Sequence, residues 1–451
     1  MTAPIRNTPL TQALLAIVLA SAAGLCAADQ NEAVEHRRPT GTTWCADRCD
    51  GVITDWSLTA LQVIKAADGY QNPLAATRSL AMMHLAMHDA ANAARPRYQR
   101  YALAAQSTTA STTRVDAAVA AAAAAYAVLA ALYPQAQAAA LLEAELDKTL
   151  IEAGVGPDIA AGRELGKSAA AAVLAKRRND GSAGNATYVE GMQPGQYRFT
   201  PPFTFVLAPH WRQVTPFALA SASQFRTAPA PALASEAYRR DFDEVKRVGG
   251  KGAGAQRSSD ETNYAAFWYE FADIGWNRIA RASSSRVKQD LWDRARTFAL
   301  LNAAMADAYI AGWDSKFQHN VWRPVTAIHL AGHDGNPNTV PDAGFDPFLT
   351  TPPVPDLPST HSVLGMAAAT VLAQAFGRDH VPFSFASSSA LPANPVRSFS
   401  DAARENADSR VKAGLHFRFA TTAGLEMGRQ IGQYVTRNAL PRQHGAATQE
   451  E

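Results

Sequence analysis

The chain has 451 residues, 47% of them hydrophobic, and a formal net charge of +2. That length exceeds the usual single-domain range and supplies ample core material, so two packed halves are expected. The nearly balanced charge excludes the strong basic excess of a nucleic-acid binder, and any positive charge that matters must be local.

Residues 1–28 read as an export signal: Arg6 gives the positive start, Ala13 to Leu25 an uncharged apolar run, and Cys26, Ala27 and Ala28 the small residues of a cleavage site. The run is too short for a comfortable transmembrane helix, and no later stretch is long and apolar enough to span a bilayer. A soluble protein, exported to the periplasm or secreted, is therefore expected. Removing the signal leaves Cys45 and Cys49. An oxidising compartment favours a small disulfide loop between them, with two free thiols as the alternative.

Residues 29–57 are a polar N-terminal arm. From 58 to 180 the pattern is helical and alanine-rich, including Ala117–Leu132 and Ala138–Ala153, and small side chains let helices approach closely. The stretch 181–232, with its Gly and Pro, reads as a long connection. Helical signals return at Ala234–Val248, Glu261–Ala272, Ser285–Gly312, Ser359–Phe376 and Ser409–Thr436 within a second bundle, 233–440, before a tail at 441–451. Nothing alternates with the period of a sheet. The expected fold is all-α, two adjacent helical bundles.

Three segments of the second half carry candidate chemistry. Lys316 and Arg323 are seven residues apart, nearly two helical turns, so they share a face if the segment is helical. Pro324 disfavours helix at Arg323 and predicts a helix end that aims the guanidinium outward. Ser359 follows a Pro-rich stretch and precedes an apolar run, the position of a helix N-cap. Unpaired N–H groups and the helix dipole there attract anions, with His361 in the first turn. Arg410 and His416 are six apart, about 120° around one straight helix, so facing one pocket requires a break, and Gly414 is the natural place. Taken singly, the first segment reads as a solvated face and the third as a helix start with scattered basic residues, while the second is as much a plain capped helix as an anion site.

Together and in this order, the Lys–Arg-Pro, Pro-Ser-x-His and Ser-Arg–His segments resemble the signature of the superfamily of vanadium-dependent haloperoxidases and type 2 phosphatidic acid phosphatases. The likeness extends through Ala306–Trp313, Met87–Asn92 and Tyr98–Tyr101, which look like bacterial haloperoxidase relatives. It implies an oxyanion pocket in which Lys316, Arg323 and Arg410 grip equatorial oxygens and Ser359 and the Thr360 N–H complete the cradle. His416 would be the axial partner, ligating vanadium or attacking phosphorus, and His361 the general acid–base. The cofactor is then vanadate and the substrates hydrogen peroxide, halide and an organic acceptor. In the phosphatase alternative there is no cofactor and the substrates are phosphomonoesters or lipid phosphates. A helical protein with an idle oxyanion site is the third alternative.

The sequence departs from the family pattern at three points. Thr360 stands where relatives usually carry Gly, so a branched side chain narrows the pocket or blocks a positive φ. Ala420 stands where phosphatases carry Asp, which predicts an imidazole without a carboxylate orienter and weak phosphatase turnover. Val354 replaces the Phe or His of chloride- and bromide-oxidising relatives and leaves the halide open. Glu270 matches an acidic residue expected to pair with Arg410, or is a surface carboxylate. Finally, His84 and His88 with Asp89 have a spacing that can bind zinc, but without an adjacent glutamate base or a third ligand, packing is the expected role.

Overall fold

The computed structural model describes residues 51–104, 114–387 and 394–443. The export signal, Cys45 and Cys49, most of the expected arm and the tail beyond residue 443 lie outside the described residues.

The first half is α1 (Val52–Ala66), α2 (Pro73–Ala94), α3 (Ala117–Leu132), α4 (Ala136–Ala153) and α5 (Pro157–Arg177). Local chemistry sets their starts. Asn72 accepts the Ala75 N–H at 3.2 Å before Pro73 opens α2, and Asp116 accepts from Ala118 and Val119 at 2.9 Å to open α3. The alanines of α3 are buried as a block, and α5 meets them with Gly162 and Gly166. A methyl on Gly166 would stand 2.4 Å from the Ala120 carbonyl, so the two backbones nearly touch. Between Arg178 and Ser235 the chain has a single 3-10 turn, Pro209–Gln213. Asp307, from the second half, fastens this passage by accepting the N–H groups of Phe217, Ala218 and Leu219 at 2.6–2.9 Å.

The second half is α6 (Glu236–Val248), α7 (Ser259–Phe267), α8 (Ala272–Ser284), α9 (Leu291–His319), α10 (Pro324–His329), α11 (Thr360–Ala375), α12 (Phe399–Lys412) and α13 (Arg418–Asn438). The long helix α9 is buried on nearly every face and packs against α2 on one side and α11 on the other. One apolar core therefore runs through both halves, from Val52 to Leu440. A second cluster joins Tyr238, Phe242 and Val245 of α6 to Trp322, Ile328, Val411 and Phe417. It backs the segments that carry the candidate site.

The all-helical expectation holds, with four local differences. A small antiparallel ribbon pairs β1 (Phe383–Phe385) with β2 (Asn394–Val396), three residues each, too short to leave an alternating pattern. The expected Glu261–Ala272 helix is broken at 268–271 into α7 and α8. Helix α9 starts only at Leu291, where Asp290 caps it, and runs on to His319. The expected Ser409–Thr436 helix is two helices, and α12 begins at Phe399, so Arg410 lies in a last turn rather than a first one.

The trio on α2 serves packing. Asp89 accepts the backbone N–H groups of Tyr101, Ala102 and Leu103 at 2.7–2.8 Å, and His88 Nε2 is 3.2 Å from the Gln99 carbonyl. His84 is fully buried against Phe298, and neither ring nitrogen has a partner. Burial, then the charge of Arg281, lowers its pKa from 6.5 to about 3. A histidine depressed in the folded state stabilises fully above its unfolded pKa of 6.5, and that stability is lost as pH falls from 6.5 toward 3. The expected slope is about 1.4 kcal/mol per pH unit from this group. Denaturant unfolding of wild type and His84→Leu across this range should show the variant losing less stability by that slope. Parallel pH profiles would refute the assignment.

Candidate active site

Helix α9 ends at Asn320, whose left-handed backbone (φ 52°) accepts the turn out of the helix. Lys316 lies in the last turn and Arg323 in the extended chain beyond (φ −83°, ψ 156°), with Pro324 as first residue of α10. The two cations are therefore not on one helical face: the helix stops before Arg323. Their side chains are turned to main-chain carbonyls. Lys316 Nζ donates to Pro355 O at 2.6 Å and Asp356 O at 3.1 Å. Arg323 donates through Nε to Val354 O at 2.6 Å and through a terminal nitrogen to Leu415 O at 2.8 Å.

The Val354, Pro355 and Asp356 carbonyls are free because the proline-rich 352–358 stretch builds no helical ladder, and that of Leu415 because the chain bends at Gly414. The proline-rich stretch delivers Ser359 to the N-cap of α11. The Ser359 N–H donates to Ala420 O at 2.9 Å, while its hydroxyl is buried, caps nothing and has no partner. Thr360 enters the helix without a positive φ. Its γ-methyl is directed at Gly312 on α9, where an added Cβ would stand 3.3 Å away. Thr360 thus needs no glycine backbone, which removes the expected conflict.

The break between α7 and α8 exposes carbonyls for two more site residues. His361 Nε2 is 2.9 Å from Glu270 O, and Arg410 donates to Trp268 O at 3.4 Å with its guanidinium 5.5 Å from the Tyr269 ring. Arg410 Nε is buried without a partner. The Glu270 carboxylate lies against Arg278 at 3.0 Å and not against Arg410, which corrects the expected pairing. Glu270 serves the pocket through its main chain.

Gly414 makes the expected break, at φ 77°. After it the N–H groups of Leu415 and His416 fold back onto Arg410 O at 3.0 and 3.3 Å, which brings the imidazole to the guanidinium side. Only glycine fits: a Cβ at Gly414 would meet Gly249 O at 2.3 Å. His416 Nε2 then faces an Arg323 terminal nitrogen at 2.9 Å, and Nδ1 stands 2.7 Å from Asp356 Oδ1, a close approach that is not aligned as a hydrogen bond and leaves both Asp356 oxygens without a hydrogen-bond partner.

Asp356 corrects the expectation drawn from Ala420. The imidazole does have a carboxylate beside its second nitrogen, supplied from the stretch before Ser359 instead of from α13. Ala420 is buried and contributes its carbonyl to Ser359. The sequence signal was a single acid inside a proline-rich run, and nothing in that run's pattern ties it to His416. Tyr269, whose hydroxyl donates to Thr350 O at 2.9 Å, was also missed.

The buried groups of the pocket shift one another's pKa. His416 is held well below its ordinary pKa by burial, then by Arg323, Lys316, Arg410 and His361. His361 is lowered by burial, then Arg410, with Lys316 and Arg323 adding to it. Burial lowers Lys316 and takes Arg410 down to about 10. Burial pushes Asp356 up to about 7 against the pull of Arg323 and Lys316. Both histidines are held in the neutral form, and three buried basic side chains share the pocket with one acid whose pKa lies near neutral. With the Ser359 hydroxyl and Arg410 Nε lacking partners, this donor set fits a tetrahedral oxyanion such as vanadate or phosphate.

Residues 296–444 match the VCPO second helical-bundle domain. The vanadium chloroperoxidase of Curvularia inaequalis is 30% identical over 203 residues, 37% of this chain, and that match spans 32% of its own length. A bacterial vanadium-dependent iodoperoxidase structure superposes with a TM-score of 0.75 at 25% identity, covering 90% of this chain and all of that one. A holo bacterial vanadium-dependent chloroperoxidase gives 0.62 at 18% identity over 81% of this chain and 93% of its own, a likeness of fold. Domain match, curated relative and structural neighbours agree: residues 296–444 resemble the second helical-bundle domain of the vanadium haloperoxidases, and the fold of most of the chain is similar to theirs.

Proposed function

We propose that the chain is a vanadate-dependent haloperoxidase-like enzyme that oxidises a halide with hydrogen peroxide, exported to the periplasm or beyond. The observation that carries the reading is the convergence of Lys316, Arg323 and Arg410 on a neutral histidine whose far nitrogen meets a carboxylate. Lys316, Arg323, Arg410, Ser359 and the Thr360 N–H would hold the vanadate oxygens, and His416 would ligate the vanadium through Nε2. Bound vanadate would supply a Lewis-acidic centre that activates peroxide toward halide.

The protein's own share is positional. Asp356 favours the proton on Nδ1 of His416 and so leaves Nε2 with its lone pair. His361 donates from Nε2 to the Glu270 carbonyl, which leaves Nδ1 to accept a proton from incoming peroxide and return it to a departing oxygen. Its depressed pKa keeps that nitrogen unprotonated at neutral pH. The buried cations neutralise anionic oxygens without competition from water.

A phosphatase reading gains support from the same carboxylate. A histidine nucleophile needs its second nitrogen held, and Asp356, 2.7 Å from it, is near enough to do so after a small reorientation, where Ala420 is not. Phosphomonoesters would then be slow substrates of the apo-protein, inhibited by vanadate because both anions use one pocket.

Two measurements test these assignments. Apo-protein given orthovanadate, peroxide and iodide should oxidise iodide, and His416→Ala should abolish this while leaving the circular dichroism unchanged. Rapid phosphate-ester hydrolysis with no halide oxidation would reverse the order of the two readings. Asp356→Asn should weaken orthovanadate binding by about 10–100-fold, the usual effect of removing a carboxylate behind a ligating histidine. Unaltered affinity in a titration would show that another group orients His416.

A further inference from the structure

A cleft of about 630 Å³ opens beside the oxyanion pocket, between the 190–202 passage, α10 and the 345–351 loop. Its volume is that of a small-molecule site. Phe199, Leu330, Phe345 and Phe348 give it apolar walls. It adjoins the pocket through shared residues. Thr350, in its wall, accepts the Tyr269 hydroxyl at 2.9 Å, and Tyr269 carries Arg410 on its ring. Phe348 and Leu349 pack with Tyr269 around Leu415, whose carbonyl holds Arg323.

The polar groups of the cleft are unevenly matched. Glu190 accepts the Phe199 N–H at 2.6 Å, and Asp346 faces Lys251 at 3.8 Å. Arg198 gives one hydrogen bond, to Met192 O at 2.9 Å, and makes no ion pair with the described residues; its Nε is out of solvent without a partner. Thr351, only 2% exposed, also lines the cleft with an unpartnered hydroxyl. A guanidinium without a counterion beside three phenylalanines asks for a flat ring bearing an acid group.

We infer that this cleft binds an aromatic carboxylate, with Arg198 on the carboxylate and the ring between Phe199, Phe345 and Phe348. Its use as a halogen acceptor rests on the haloperoxidase reading; the binding does not. Halogenation by a hypohalous acid exchanges one ring hydrogen for halogen and releases water, so the cleft need only hold the ring near the pocket.

Calorimetric titration of the vanadate-free protein separates the two claims. Para-hydroxybenzoate should bind, and phenol, lacking the carboxylate, should bind more weakly. Arg198→Gln should weaken para-hydroxybenzoate about tenfold, the worth of a charge-assisted hydrogen bond, and leave phenol and orthovanadate binding unchanged. Phe348→Ala should weaken both aromatic probes. Equal affinity for the two probes, or an Arg198→Gln variant that binds para-hydroxybenzoate like wild type, overturns the site. Iodide oxidation without any organic acceptor is read separately; its failure alongside intact binding removes the acceptor role and leaves the carboxylate site standing.

Discussion

Three cations taken out of water in one place set the terms for the rest of this molecule. Burying an ion costs on the order of several kcal/mol even after relaxation, and Asp356 alone cannot offset Lys316, Arg323 and Arg410. The protein meets the difference with main-chain carbonyls: Pro355 and Asp356 for the lysine, Val354 and Leu415 for Arg323, Trp268 for Arg410. A carbonyl can serve a side chain in this way only where no helical N–H claims it. That is why the site is assembled from ends and interruptions: the proline stretch before α11, the gap between α7 and α8, and the bend at Gly414. The helices fix where those interruptions lie.

This division also explains what could be read from the residues in advance. Alanine-rich periodicity and the proline-to-helix transition at Ser359 mark helices, and the ordered spacing of Lys316, Arg323, Ser359, His361, Arg410 and His416 marks the pocket, because side-chain identity carries both. Carbonyl acceptors leave no such trace. Any residue could stand at 268 or 270 and still offer its oxygen to Arg410 or His361, so Glu270 drew attention for a carboxylate that turns to Arg278. Asp356 was hidden for a different reason. Its partner lies on a distant segment, and no local period connects them.

The position of that carboxylate bears on how chemistry is partitioned in this fold. An orienting acid on the helix after the histidine would move with it; one on the proline stretch moves with the carbonyls that hold Lys316 and Arg323. His416 thus lies closest to an acid that belongs to the cation cage instead of to its own helix, while Ala420 serves the site only through its carbonyl, on the Ser359 N–H.

The contact between Gly249 and Gly414 reaches beyond the pocket. Helix α6 ends against the bend, Asp241 accepts the Phe419 N–H at 2.7 Å, Glu244 holds Arg418 at 2.6 Å, and Tyr238 packs on Phe417 with ring centres 5.6 Å apart. Four contacts from one helix brace the turn that presents His416. Yet α6 precedes the stretch that sequence similarity assigns to the second helical-bundle domain, residues 296–444. The unit that similarity delimits is therefore smaller than the unit that holds the imidazole in place. Excised at its borders, it would keep every residue of the anion cradle and lose the scaffold that aims one of them.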